Sequence, residues 1–237
     1  MIVSRPVSSR PRIACAVNIN PKALTVSERY KLLIGGIVPR PIALVSSLSG
    51  GGLGNLAPFS FFAGVGSNPM TLVICPANKP DGSEKDTLRN CAPEAEGGTG
   101  RFVVNIAHER LARRLASAAE ELPYGESEFE LSGLTPAPWD DGFPVPRVAE
   151  CQLAYACQTL QVIRTNPGAA AGGNLVLGEV VAVYADDALL DERMRIDQER
   201  LGALGRMGGL QYCRTAERFE LTPGRGALDA ELPFETT

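Results

Sequence analysis

Between Arg40 and Lys79 the chain runs through 38 consecutive residues without a charged side chain. A stretch of that length invites a membrane helix, which needs roughly 20 uninterrupted apolar residues. Gly50, Gly51, Gly52, Gly54, Pro58, Gly64, Gly66, Pro69 and Pro76 interrupt it too often. The block reads instead as buried strands joined by turns: one over residues 41–48, a hairpin at the glycine run, a second extended stretch over 55–65 and a third over 70–75. Short strands at this spacing with Gly-rich turns point to a barrel or sandwich.

The remainder supports a β-rich fold with helices at its periphery. Asp86 or Thr87 is placed to cap a short helix through Asn90, stopped near Pro93, and residues 101–106 read as a strand. Leu111, Leu115, Ala118 and Leu122 recur at helical spacing, with Arg110, Arg113, Arg114 and Glu120 off the stripe, which predicts an amphipathic helix covering a sheet or barrel end. Five prolines make residues 123–147 an excursion loop. Residues 151–163 and 175–184 return to strand character across a small-residue loop, 166–174, expected to be flexible. No repeat or linker divides the chain. The economical organisation is one domain over residues 28–223 and a tail over 224–237. Ahead of it, residues 1–27 form a basic leader that reads as flexible, as a weak transit-like signature or as the product of an upstream-shifted start.

Composition removes several function classes. His108 is the one histidine of 237 residues, so no zinc centre with two or more imidazoles can form within one chain, and any imidazole-activated nucleophile would have to use this residue. It stands at a strand-to-helix junction beside Glu109, where a solvated or capping role is the commoner one. The formal charge of −4 provides no basic field for nucleic acid or an anionic membrane. Cys15, Cys75, Cys91, Cys151, Cys157 and Cys213 are scattered without a Cys-x-x-Cys pair or an apolar signal segment, which argues for reduced thiols in the cytoplasm and against a metal ribbon. Cys151 and Cys157 would share one face of a strand as small buried hydrophobes.

Gly52-Leu-Gly-Asn-Leu-Ala57 fits a dinucleotide fingerprint formally, but extended chain follows it and no βαβ alternation does. Neither a phosphate-binding P-loop nor a Gly-x-Ser-x-Gly nucleophile elbow occurs. The informative constellation is composite: the hydroxyl pair Ser46-Ser47, the uncharged run Asn55-Leu-Ala-Pro-Phe-Ser-Phe-Phe62, then Lys79 and Lys85-Asp-Thr87. Lysines and hydroxyls at a helix start suit a monophosphate, and a backbone-rich loop with three phenylalanines suits a flat heteroaromatic ring. The competing reading is a capped surface helix beside core phenylalanines, and composition with spacing alone leans slightly toward it.

Ordered motifs along the chain add to this. Val38-Pro-Arg-Pro-Ile-Ala-Leu-Val-Ser-Ser47, the Asn55 to Phe62 run, Lys85-Asp-Thr-Leu-Arg-Asn90, Phe102-Val-Val-Asn105, Glu128-Phe-Glu-Leu-Ser-Gly-Leu134, Gly178-Glu-Val180 and Gly205-Arg-Met-Gly-Gly-Leu-Gln-Tyr212 occur in the order found in the flavin reductase-like family. The chain resembles that family over residues 28–223, in particular its longer branch, which includes flavoredoxin-like carriers and reductase components of two-component flavin monooxygenases. The resemblance implies an FMN-binding split barrel, mainly β with peripheral helices, and a homodimer with FMN near the interface. It implies that Ser46, Ser47, Asn55, Ala57, Pro58, Phe59 and Ser60 wall the flavin ring and ribityl chain, and that Lys85, Asp86 and Thr87 form the phosphate end. Arg206, Gly208, Gly209 and Tyr212 match a late motif near the cofactor or the dimer seam.

The activity implied is NAD(P)H-dependent flavin reduction supplying a partner oxygenase, with no metal and no membrane or nucleic-acid partner. The flavin carries the redox chemistry, so no side chain is assigned as an acid or base, and Arg206 could contribute electrostatically. Two departures stand out. Lys79-Pro-Asp-Gly-Ser-Glu84 is expanded before Lys-Asp-Thr, and Gly173-Asn-Leu-Val-Leu-Gly-Glu179 lacks the Gly-Asp-His lead-in of the shorter reductases. The second motivates an alternative, an FMN electron carrier reduced by another protein. A non-catalytic structural dimer ranks third.

Overall fold

The computed structural model describes residues 17–123, 126–230 and 232–233. The first 16 residues of the expected leader and the end of the expected tail lie outside them. After a single 3-10 turn at Pro21–Ala23, helix α1 spans Val26–Gly36. Thr25 and Glu28 start it with a reciprocal capping box, the Glu28 N–H donating to Thr25 Oγ1 and the Thr25 N–H to Glu28 Oε2.

The uncharged block then forms β1 (Arg40–Pro41), β2 (Ala43–Leu48), β3 (Gly54–Phe59), β4 (Phe62–Ser67) and β5 (Met70–Ile74). Helix α2 (Asp86–Cys91), β6 (Arg101–Asn105), α3 (Ala112–Ser117) and α4 (Glu128–Ser132) follow. The two-residue strands β7 (Pro136–Ala137) and β8 (Arg147–Val148) precede the long pair β9 (Leu153–Arg164) and β10 (Asn174–Ala185). Helix α5 (Gln198–Leu201), β11 (Leu204–Arg206) and β12 (Tyr212–Arg214) complete the order.

Seven strands make one antiparallel sheet in the order β3-β2-β6-β9-β10-β5-β4. Its two edge strands, β3 and β4, are consecutive in the chain and separated only by Ser60 and Phe61. Two residues cannot span a flat seven-stranded sheet, since neighbouring strands lie about 4.8 Å apart. The sheet must therefore curl until its edges meet at this corner, giving a barrel whose β3 and β4 are adjacent without forming a ladder: a split barrel.

Strand alternation divides the core. Ala43 and Val45 of β2, Phe59, Leu72, Ile74, Phe102, Val104, Cys157 and Val176 come together inside the curl, where Leu88 and Cys91 of α2 plug one end. Leu44 and Leu56 point outward into a second cluster with Leu111, Leu115 and Ala118 around α3, and with Phe129 of α4. Gly178 on β10 is what lets the fully buried Phe102 ring lie across that strand, because a Cβ there would fall 2.5 Å from the ring.

Several expectations change. The extended stretch over 55–65 is two strands broken at the corner, and β4 is largely exposed where buried strands were expected. The helix predicted through Leu122 ends at Ser117, where the Ser117 hydroxyl donates to the Arg114 carbonyl. Residues 123–147 are more than a loop: α4 packs against β3, and the Trp139 indole, which donates to the Val145 carbonyl, covers the outer face of β6 and β9. Loop 166–174 is tied down, with Asn174 Nδ2 donating to Pro76 O, Asn78 Oδ1 and Gly172 O. Cys151 precedes β9 and joins the outer cluster while Cys157 lies inside, so the two do not share a face, although both are buried as expected. The five described cysteines are free thiols.

Candidate functional site

The adjacent serines of β2 show how the site is built. Successive strand residues face opposite sides of a sheet, so Ser46 and Ser47 separate. Ser47 faces inward, and its hydroxyl accepts from Asn55 Nδ2 of β3 at 3.3 Å and from Asn90 Nδ2 of α2 at 3.1 Å. The Asn55 amide also donates to Thr87 Oγ1 of α2 at 3.0 Å. Three elements are thus joined by one chain of buried polar groups, each satisfied by another. Ser46 faces outward, donating to the Pro146 carbonyl at 2.6 Å and accepting from Asn105 Nδ2, and so anchors the covering loop.

Beside this chain opens a solvent-accessible cleft. Asn55, Ala57, Pro58 and Phe59 form one wall; Lys79, Lys85, Asp86 and Thr87 form another; residues 118–122 and Glu128 complete it. Lys85, rather than Asp86 or Thr87, occupies the N-cap position of α2, and no side chain caps it. Thr87 is turned instead to Asn55. Lys79 Nζ lies 3.7 Å from Asp86 Oδ2 and Lys85 Nζ 3.7 Å from Glu121 Oε1. Ion pairs this long and partly solvated hold their lysines weakly, leaving both able to turn toward an anionic ligand. Asp86 also pairs with Arg89.

Other residues singled out from the sequence gather at a second locus. The buried Arg40 guanidinium donates to Ile34 O at 2.7 Å, Ile37 O at 2.8 Å, Met207 O at 3.0 Å and Ser60 Oγ at 3.1 Å. Burial lowers its pKa from the ordinary arginine value. Arg206, opposite Arg40 in the β1–β11 ladder, lies over the Tyr212 ring at 4.4 Å. Gly208 and Gly209 form the turn between β11 and β12, Gly208 lying against Gly35 of α1. Ser60 and the β11–β12 hairpin that carries Arg206, Gly208, Gly209 and Tyr212 thus belong to the Arg40 locus and do not line the cleft, though Ser60 directly follows Phe59 of its wall. His108 caps the 3-10 turn Glu109–Leu111, its Nδ1 accepting from the Arg110 N–H, with burial and the Arg110 charge lowering its pKa. It too lies outside the cleft lining.

A split barrel carrying this cleft has known counterparts. A family model described as "Flavin reductase like domain" matches residues 35–205. The chain belongs to the flavin reductase-like family. Nitrilotriacetate monooxygenase component B from Bacillus cereus is 35% identical, with a TM-score of 0.79 over 87% of this chain and 98% of its own. The Pseudomonas fluorescens 2-nitrobenzoate 2-nitroreductase is 34% identical, with a TM-score of 0.75 over 88% and 97%. A split-barrel-domain structure from Shewanella frigidimarina, 22% identical with a TM-score of 0.73 over 88% and 100%, shares the fold.

Sequence reasoning about this member of the family passes over Glu128 and Arg40, although both stand inside the quoted motifs. Glu128 is a buried carboxylate in the cleft, and its Oε2 accepts the Leu56 N–H at 2.9 Å, a group that edge strand β3 would otherwise leave unpaired. Desolvation by burial raises its pKa above the usual carboxylate value, aided by Asp86 and opposed by the Leu56 bond and Lys79. A carboxyl whose folded pKa is raised contributes most below its unfolded pKa, and that contribution is lost as pH rises through the folded value. Glu128→Gln keeps an acceptor for Leu56 without the charge. It should match the wild type in stability at acidic pH and exceed it at neutral pH, as measured by urea denaturation across that range.

Proposed function

We propose that the cleft binds FMN and that the protein is an NAD(P)H-dependent flavin reductase supplying reduced flavin to a partner oxygenase. The observation that carries the reading is the continuity of the cleft: an uncharged wall from Asn55 to Phe59 runs through Thr87 into Lys79 and Lys85. That donor set fits the ligand. The Thr87 hydroxyl and the two ammonium groups match a phosphate dianion, Asn55 offers an amide carbonyl to ribityl hydroxyls, and Ala57, Pro58 and Phe59 give a flat apolar wall for a ring. Bound flavin supplies hydride acceptance and onward electron transfer. The chain's own task is to hold the ring against the β3 wall, screen the phosphate and keep Asn55 oriented through Ser47. Likeness to a monooxygenase component B supports the oxygenase partner, and the scattered free thiols support a reducing cytoplasm.

The electron donor has a second reading. Asn174 stands at the start of β10, near where shorter reductases carry a histidine, and its amide is committed to Pro76, Asn78 and Gly172. This favours, as the alternative, a carrier reduced by another protein. Rapid mixing of the FMN-loaded protein with NADH and with NADPH decides: bleaching near 450 nm by either supports the reductase, and flavin that stays oxidised with both overturns it. For the phosphate end, Lys85→Ala combined with Thr87→Ala should weaken FMN at least about tenfold and riboflavin by less than about twofold, since only FMN carries the dianion. Equal weakening of both ligands in a fluorescence titration would remove the assignment.

The reading includes a homodimer. Residues 63–67 of edge strand β4 are exposed and uncharged, with Val65 57% exposed, and α1 buries Ile34 while leaving Tyr30, Leu32 and Leu33 about half exposed. Edge strands that remain monomeric are normally guarded by charge, and a helix of 11 residues depends on packing of its apolar face. Sedimentation velocity should give a dimer, and Val65→Lys should shift it toward monomer; a monomeric wild type would count against the assembly.

A further inference from the structure

The segment between β5 and α2 delivers both cleft lysines yet has no helix or strand of its own. Its internal turn is closed by Lys79 N–H to Ser83 O and Gly82 N–H to Lys79 O, with Asp81 accepting from Ser83. Besides the Cys75 N–H bond to Phe61 O and the long ion pairs of Lys79 and Lys85, its ties come from β9, β10 and the loop between them. The Asn78 N–H donates to Gly172 O and its side chain to Ala169 O. Gly82, at φ +86°, approaches Gly168 so closely that a Cβ would meet the Gly168 carbonyl at 2.2 Å. The last tie is Arg164 at the end of β9, with Nε 2.6 Å from Glu84 Oε1 and Nη2 2.8 Å from Glu96 Oε2.

Glu84 and Glu96 bracket α2, one immediately before its N-cap Lys85 and one in the 3-10 turn after it. A single guanidinium therefore grips both ends of the helix that presents Lys85, Asp86 and Thr87, without lining the cleft itself. Short charge-assisted bonds to a planar fork fix direction as well as distance. Arg164 also neutralises a carboxylate adjacent in sequence to Lys85. Released, Glu84 would compete for that lysine with any bound anion.

We propose that Arg164 is a positioning residue that sets the cleft's preference for a phosphorylated over an unphosphorylated flavin. The proposal rests on the reading of Lys79, Lys85 and Thr87 as the phosphate end. It acts twice: Arg164 holds the lysines and hydroxyl in place, and it keeps Glu84 from occupying Lys85. Riboflavin lacks the dianion and is indifferent to both effects.

The test is titration of the full-length protein with FMN and with riboflavin, followed by flavin fluorescence. Arg164→Ala should raise the FMN dissociation constant about tenfold or more and leave that of riboflavin within about twofold. Adding Glu84→Gln to Arg164→Ala removes the competing charge and should restore part of the FMN affinity, a rescue that loss of local order alone would not give. Should the alanine variant fail to fold, Arg164→Lys, which can serve only one carboxylate at a time, should show an intermediate loss confined to FMN. An unchanged FMN-to-riboflavin ratio in either variant, or equal weakening of both ligands, overturns the proposal. If the wild type prefers FMN and Lys85→Ala with Thr87→Ala abolishes that preference while Arg164→Ala preserves it, the Arg164 proposal alone fails. If the wild type binds both flavins equally or neither, the phosphate reading fails and this proposal with it.

Discussion

The Asn55 side-chain amide, donating at once to Ser47 and Thr87, is the contact on which the rest of the cleft depends. It ties an edge strand to its neighbour and both to the helix that plugs the barrel. Removing Asn55 would leave the buried Thr87 hydroxyl without this partner, at a cost of roughly 1–3 kcal/mol, while Ser47 would keep Asn90. The removal would also loosen the polar tie between β3 and α2, which carries Leu88 and Cys91 into the barrel interior and Lys85 to its rim. Core packing and cleft geometry are in this sense one arrangement: the inner face of α2 is fixed by hydrophobic burial and its outer face inherits its position from that burial.

Around this chain the charges are placed with economy. The protein is acidic overall and the cleft lining includes Asp86, Glu120, Glu121 and Glu128, yet Lys79 and Lys85 stand opposite the uncharged Asn55 to Phe59 wall. Their partners, Asp86 and Glu121, are held at distances where solvent screens most of the attraction, so a doubly charged ligand would displace them at little expense. Arg164 and Glu84 make a much shorter pair. The contrast separates cations free to rearrange from one committed to structure, a distinction that distance and bond geometry carry and charge counting does not.

Much of this could be read from the residues. The uncharged block gave its strands because alternation and glycine punctuation are local signals, and Ser47, Asn55 and Thr87 converge as members of neighbouring ordered motifs. What the sequence could not show is which neighbour each side chain chooses. Ser46 and Ser47 look equivalent in a line of text, and strand alternation sends one to an external loop and the other to the buried amides of Asn55 and Asn90. The corner at Ser60 and Phe61 was hidden because nothing local reveals that two consecutive strands lie at opposite edges of a sheet. Helix α1 was missed although Thr25 and Glu28 spell a capping box, since its apolar residues do not form a stripe buried within this chain. The network around Arg164 joins positions 80 residues apart in sequence and has no local signature.

Arg40 connects these themes. A buried guanidinium is tolerated only when its donors are satisfied, and here the acceptors come from α1, from the β11–β12 turn and from Ser60 at the barrel corner. Ser60 follows Phe59, a wall residue of the cleft, and α1 carries the exposed apolar face assigned to the dimer. Covering α1 with a second copy would therefore press on the carbonyls of Ile34 and Ile37, and through Arg40 on the corner where the two edges of the sheet meet. Fixing that corner fixes the direction in which β3 leaves it, and with it the Ala57 to Phe59 wall. In the dimer proposed above, association and cleft shape would be coupled through this one side chain, whose bonds all lie within a single protomer.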